Sequence, residues 1–378
     1  MKEIYLDSYS TTKVKEESAK RAKLFMEKDY GNPSSTHKKG EIAKSEIEKV
    51  RKIISEELSA EQNEIIFTSG ATESNNLAIL GLAEANPNKR TIITSTLEHP
   101  SILETCNYLQ KKGYNIIKIK PSIDGVINPE DIKKAIEKNK RDCLLISIIH
   151  ISNIIGTIQD IKEIGHFCKR NNIFLHTDAV QSFGKIKINV KESNIDLLSA
   201  SGHKIGAPKG IGFLYIKKGI KIQPIIHGGG QEKGLRSGTE NVSGIAGLGE
   251  AIKEIKKVNK TKIEKSRNSI IEQIKNLGGK INGSIEKRLY NNIHCSFIGY
   301  NSEQIINYLS TKNIFVSSGS ACDSKKEEED EVLKSINLNK EEINGSLRIT
   351  LSEPLKKEEL IYLTKELKNA LKHFELKR

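Results

Sequence analysis

The chain has 378 residues, a length that suits two domains or one large one. Apolar residues make up 36% and there are 28 glycines, enough to build a core at this length and too regularly spaced for a disordered chain or a fibre. The net charge is +13, but only 10 of the 61 basic residues are Arg, the lysines alternate with glutamates and Trp is absent, which favours a solvated lysine-rich surface over a nucleic-acid interface.

In chain order, short apolar runs alternate with helical stretches from about residue 65 to residue 215. Strands are expected over 64–68, 91–95, 115–119, 143–150, 173–177, 195–200 and 212–216, with helices over 72–85, 101–112, 129–139 and 161–171. The run 143–150 is almost wholly apolar, as in a strand buried on both faces. Such alternation predicts a mostly parallel α/β sheet, whose ligands bind at the carboxyl ends of the strands. Beyond Gly249 the texture changes to a long lysine- and glutamate-rich helical stretch over 251–276, without strand signals. Strands at 292–298, 314–317 and 346–351 follow, with helices at 302–311 and 356–374, a smaller α+β unit. No apolar run approaches the roughly 20 residues of a membrane span, and the first residues hold no secretory apolar region. The five cysteines, Cys106, Cys143, Cys168, Cys295 and Cys322, form no C-x-x-C pair. Reduced thiols in a cytoplasmic protein are expected, with neither a disulfide framework nor a metal site.

Four segments carry chemistry. Phe67-Thr-Ser-Gly-Ala-Thr-Glu-Ser-Asn-Asn76 takes a strand through Gly70 into a helix, a turn whose free N–H groups suit a phosphate. His176-Thr-Asp-Ala-Val-Gln181 puts Asp178 just past a buried strand, where it suits a cation, a protonated ring nitrogen or a helix N-cap. Ser199-Ala-Ser-Gly-His-Lys204 holds a lysine in a glycine-rich loop after a strand, suited either to nucleophilic attack on a carbonyl or to a plain surface. Val316-Ser-Ser-Gly-Ser-Ala-Cys-Asp-Ser324 places Cys322 among small residues, where a mobile, exposed thiol can react; the other four cysteines lie in helix or strand patterns and read as packing residues.

The order and spacing of these segments closely resemble the cysteine desulfurases of the NifS and IscS type, pyridoxal-phosphate (PLP) enzymes of the class V aminotransferase group. The likeness runs from Tyr5-Leu-Asp7 through Gly31-Asn-Pro-Ser-Ser35, Glu98-His99, His227-Gly-Gly-Gly230 and Arg236-Ser-Gly-Thr239 to Arg348. It implies the PLP-dependent transferase fold of the aspartate aminotransferase type, with a mostly parallel seven-stranded sheet in a large domain (15–255). Residues 1–14 and 256–378 would form a small domain carrying the Cys322 loop. By the same resemblance Lys204 would hold the cofactor covalently, Asp178 would pair with its ring nitrogen and Gln181 with its ring hydroxyl. His99 would stack on the ring and shuttle protons. Ala71, Thr72, Ser201 and His203 would hold the phosphate, with Thr239 reaching it from the other subunit of a homodimer. Asn153, also beside the cofactor, and Arg348 would bind the substrate carboxylate. The implied reaction converts L-cysteine to L-alanine, with the sulfur held as a persulfide on Cys322 for an acceptor protein, an iron–sulfur scaffold or a tRNA-thiolation protein. Selenocysteine lyase, cysteine β-lyase or a weakly active sulfur-relay scaffold are the alternatives. The sequence departs from the family at Ile154, where an acidic residue is usual, at Ser8-Tyr-Ser10, at Leu351-Ser-Glu353 and in the acidic stretch Glu327-Glu-Glu-Asp330.

Overall fold

Alternating apolar residues send the two sides of most central strands into two different cores. The computed structural model describes residues 3–318 and 331–375. Seven strands form the main sheet: β2 (Ile65–Thr68), β3 (Thr91–Ser95), β4 (Asn115–Ile119), β5 (Cys143–Ser147), β6 (Phe174–Asp178), β7 (Leu197–Ser201) and β8 (Gly212–Ile216). Their order across the sheet is β2-β8-β7-β6-β5-β3-β4. All neighbours are parallel except β8, which runs against both β2 and β7. Along β8, Phe213 and Tyr215 join one core while Leu214 and Ile216 join the other.

The first core is closed by helices α1 (Glu16–Glu27), α2 (Lys38–Leu58), α5 (Pro129–Asn139), α6 (Ile161–Arg170) and α7 (Val242–Lys256). The second is closed by α3 (Ala71–Ala85) and α4 (Pro100–Lys111). Three layers result, with the sheet in the middle, as the α/β class demands. A separate apolar cluster gathers α8 (Lys260–Asn276), α9 (Ser302–Thr311), the helix Lys357–His373 and two small sheets. One is antiparallel, β9 (Lys280–Ile281), β10 (Asn292–Ser296) and β12 (Ser346–Thr350). The other pairs β1 (Ile4–Tyr5) in parallel with β11 (Ile314–Phe315), so the first strand of the chain packs with the last third.

Several elements differ from expectation. The helical stretch over 251–276 is divided between α7 and α8, because Asn259 caps α8 by accepting from the Lys262 N–H. The strand expected over 143–150 stops at Ser147, and the chain then turns along the strand ends, where Ile149 and Asn153 reach the cavity described below. Asp178 is the last residue of β6, inside the strand and not past it. Helices α1 and α2 were not anticipated at all. In the last third, Val332, Leu333, Ile336, Leu338 and Ile343 pack into the first core beside the large sheet, although the sequence reading grouped them with the small domain.

Candidate active site

The carboxyl ends of β2, β3, β5, β6 and β7 open on one cavity of about 720 Å³. Its wall brings together Ala71, Thr72, His99, Asn153, Asp178, Gln181, Ser201, His203, Lys204 and Arg348, residues spread over most of the chain. Thr239 lies outside it on the exposed surface. Cys322 and the acidic stretch that follows it lie outside the described residues. The remaining four cysteines are buried, and burial pushes the thiols of Cys106, Cys143 and Cys295 up to about 12, so they are inert packing groups.

One end of the cavity has groups that suit an anion. Gly70 stands at φ 157°, ψ −179°, a conformation that essentially only glycine adopts, and it turns the chain from β2 straight into α3. No side chain caps that helix. Its first N–H groups, at Ala71 and Thr72, therefore meet the cavity with the positive end of the helix dipole behind them. Ser201, at the end of β7, and His203 face the same region. Burial and the charges of Lys204, Lys209 and Lys185 pull His203 down to about 4, so its ring is a neutral hydrogen-bonding group at physiological pH. Its Nδ1 lies 3.1 Å from the Thr11 hydroxyl.

Asp178 is buried in the cavity floor. It accepts hydrogen bonds from Asn75 Nδ2 and from the Val180 N–H, both at 2.9 Å. Among the described residues no cationic side chain pairs with it, and a buried carboxylate held only by neutral donors still lacks a countercharge. The same Asn75 amide also donates to the Ser101 hydroxyl at 2.8 Å, and that hydroxyl lies 2.8 Å from His99 Nδ1. The Ser101 N–H donates to Nδ1 as well, so the neutral ring carries its proton on Nε2. Asp178 and His99 are thereby tied to one amide.

Lys204 ends the short turn Gly202–Lys204 after β7, and its Nζ donates to the carbonyls of Tyr9 and Ser10, the latter at 2.9 Å. Arg348, on β12, reaches across from the smaller cluster. Its guanidinium donates to the Asn153 carbonyl and to Asp7 Oδ1 at 3.0 Å each, and to the Ser10 hydroxyl at 2.7 Å. Among the described residues, its buried Nε and the Asn153 side-chain oxygen have no hydrogen-bond partner. Ile154 joins the first core, so the position where the family carries an acid is apolar and buried. Glu98, also in the wall, is raised to about 8 by burial, against the lowering effect of its hydrogen bonds from Ser95 and the Ile149 N–H. No group of three or more metal-ligating side chains exists among the described residues.

The donor set fits PLP on three observations of this cavity. An uncapped helix N-terminus suits a phosphate, a buried carboxylate without a cation suits a protonated pyridine nitrogen, and a lysine amine suits a carbonyl carbon.

Comparison with known proteins agrees. Residues 4–363 match the family model for class-V aminotransferases. The chain is 44% identical over 367 residues to cysteine desulfurase IscS of Dictyoglomus turgidum, covering 96% of this chain and 92% of that one. A solved NifS-like protein superposes with a TM-score of 0.92 at 35% identity, covering 99% of this chain and all of the other. A second solved structure, described as SspA in complex with cysteine, superposes at 0.82 with 36% identity over 93% of this chain and 100% of that one. The chain therefore belongs to the class-V aminotransferases, which depend on PLP, and within them to the cysteine desulfurases.

Four residues that hold these groups in place escaped the sequence reading. Asn75 is one of two adjacent asparagines in the first segment, and nothing local distinguishes it from Asn76. Tyr9 and Ser10 act through backbone carbonyls, which leave no mark on residue type. Lys185 follows Gln181 by four residues, a spacing that was the available signal for their contact.

Proposed function

We propose that this protein converts L-cysteine to L-alanine and carries the sulfur as a persulfide on Cys322. The observation that supports this most is the convergence of Lys204, Asp178, His99 and the α3 N-terminus on one cavity, with Arg348 at its side. Ala71, Thr72, Ser201 and His203 would hold the cofactor phosphate, Asp178 its ring nitrogen, Gln181 its ring hydroxyl and Lys204 its carbonyl carbon. PLP, when bound, supplies an electron sink for the charge left by a departing proton.

The protein's own groups do the rest. Arg348 and Asn153 bind the substrate carboxylate, and the planar guanidinium supplies a fork that a lysine lacks. The Lys204 amine and the His99 ring hold and move protons at the substrate, with Ser101 fixing the ring's tautomer. The Cys322 thiolate attacks the substrate sulfur: a new S–S bond forms as the carbon–sulfur bond breaks, and the carbon takes up a proton to become alanine. The persulfide then passes its terminal sulfur to an acceptor protein. The negative charge at 327–330 favours an acceptor with a basic face, among them scaffolds for iron–sulfur clusters and tRNA-thiolation proteins.

Thr239 would reach the phosphate bound by a second copy in a homodimer, a role supported by its exposure outside this chain's own cavity. A large domain, 15–255, and a small one, 1–14 with 256–378, are supported by the separate cluster around β10, β12 and the β1–β11 pair, although Val332, Leu333 and Ile336 of the last third pack beside the large sheet. No helix among the described residues is long and apolar enough to cross a membrane, in keeping with work in the cytoplasm.

Product analysis tests the reading. Cofactor-loaded protein given L-cysteine and a thiol reductant yields alanine in step with sulfide, and Cys322→Ala abolishes both while the bound cofactor's colour remains. Pyruvate in place of alanine, or undiminished sulfide from Cys322→Ala, contradicts it.

A further inference from the structure

Behind the cofactor cavity lies a second one of about 420 Å³. Lys204 lines both, Gln181 lines only the first and Lys185 only the second. Lys185 is 4% exposed, and among the described residues no carboxylate pairs with it. Its Nζ donates to Gln181 Oε1 at 2.7 Å and lies 4.8 Å from the centre of the Tyr9 ring, a cation over an aromatic face. Gln181 in turn donates from Nε2 to the Tyr9 carbonyl at 3.2 Å, the same carbonyl that accepts from Lys204.

A side-chain amide can turn end for end, exchanging its donor and acceptor faces. An ammonium group has three donors and no acceptor, so it accepts only the amide oxygen as its neighbour. We infer that Lys185 is a positioning residue, whose donor-only head locks the Gln181 amide with its oxygen away from the cofactor cavity and its N–H groups toward it. One of those N–H groups is held by Tyr9, and the other remains for an acceptor oxygen on the cofactor. The inference rests on the reading of Gln181 as a cofactor contact. Lys185 touches neither cofactor nor substrate; it acts through Gln181, and the uncommon burial of an unpaired ammonium supports such a role.

The test is the affinity of cofactor-stripped protein for PLP, followed by fluorescence or absorbance at pH 6.5. Burial and the charge of Lys204 draw Lys185 down to about 7, so the acid side favours its protonated, donor-only form. Lys185→Met weakens binding about tenfold when Gln181 is present and less than about twofold in a Gln181→Leu background. Lys185→Arg, also donor-only, stays within about threefold of wild type. Equal weakening in both backgrounds, or none in either, overturns the inference. If the Met variant shows no cooperative thermal unfolding, Lys185→Gln takes its place with the same expected coupling, since its amide accepts as well as donates. Lys204→Ala separates this failure from failure of the wider reading. Borohydride treatment should fix the cofactor to wild type and to the Lys185 variants, and fixation to Lys204→Ala would refute the site itself.

Discussion

Asp178 closes β6 and Lys204 follows β7 by three residues; taken alone each keeps a structural reading beside the chemical one, and only the order and spacing of all four segments, through the family resemblance, single them out. The groups that aim them were not legible. Asn75 meets Asp178 across 103 residues of chain, and Tyr9 meets Lys204 across 195, through a backbone carbonyl. Contacts of that kind are fixed only by the packed sheet. The energetics of Asp178 give a direct prediction. Asp178→Asn keeps the side chain's shape but removes its charge, so alanine formation falls by about two orders of magnitude or more, as when a charge-stabilising group is lost from other active sites. The cofactor stays attached to Lys204, as judged by its colour. A rate within about threefold of wild type would mean that the carboxylate does not serve the ring nitrogen.

Strand positions were readable wherever burial on both faces produced a continuous apolar run, as at β3, β5 and β8. Direction was not, because an apolar run is the same read either way, and β8 proved to be antiparallel to both neighbours. The break between α7 and α8 was hidden because the lysine- and glutamate-rich pattern continues through it. β8 also bears on the Gly70 turn proposed to hold the phosphate. A Cβ on Gly212 would stand 2.6 Å from the Ala200 carbonyl and 2.7 Å from Gly70 Cα, both backbone atoms that cannot swing aside. Gly212→Ala therefore displaces Gly70 and with it the start of α3, weakening PLP binding by about tenfold in the same titration, a cost in the usual range for overpacking. Unchanged affinity would show that the α3 N-terminus does not carry the phosphate.

Two apolar cores flank the large sheet, a third cluster holds the smaller sheets, and several buried titratable groups bear on the molecule's response to pH. His150 is held to about 4, and His176 and His294 to about 3, by burial, against an ordinary value of 6.5. The unfolded chain binds those protons near pH 6.5 and the folded chain does not. Their contribution to stability is thus full above pH 6.5 and is lost as pH falls toward 4. Glu98, raised to about 8, acts in the opposite sense: its contribution is full below pH 4.5 and is lost as pH rises through 8. These histidines, with His203 also held to about 4, outweigh the one glutamate on the acid side, so Tm drops by about 5 °C or more between pH 6.5 and 4.5. In His176→Gln, which removes the ring bridging Ser147 and Ser199, that drop becomes shallower, and an unchanged slope would assign the acid response elsewhere. The central claim concerns where sulfur goes after it leaves L-cysteine. Protein mixed with L-cysteine in the absence of reductant, alkylated and digested, should show one added sulfur atom on the peptide containing Cys322 and none on the peptides of the four buried cysteines. Alanine released with no sulfur on that peptide would contradict the account.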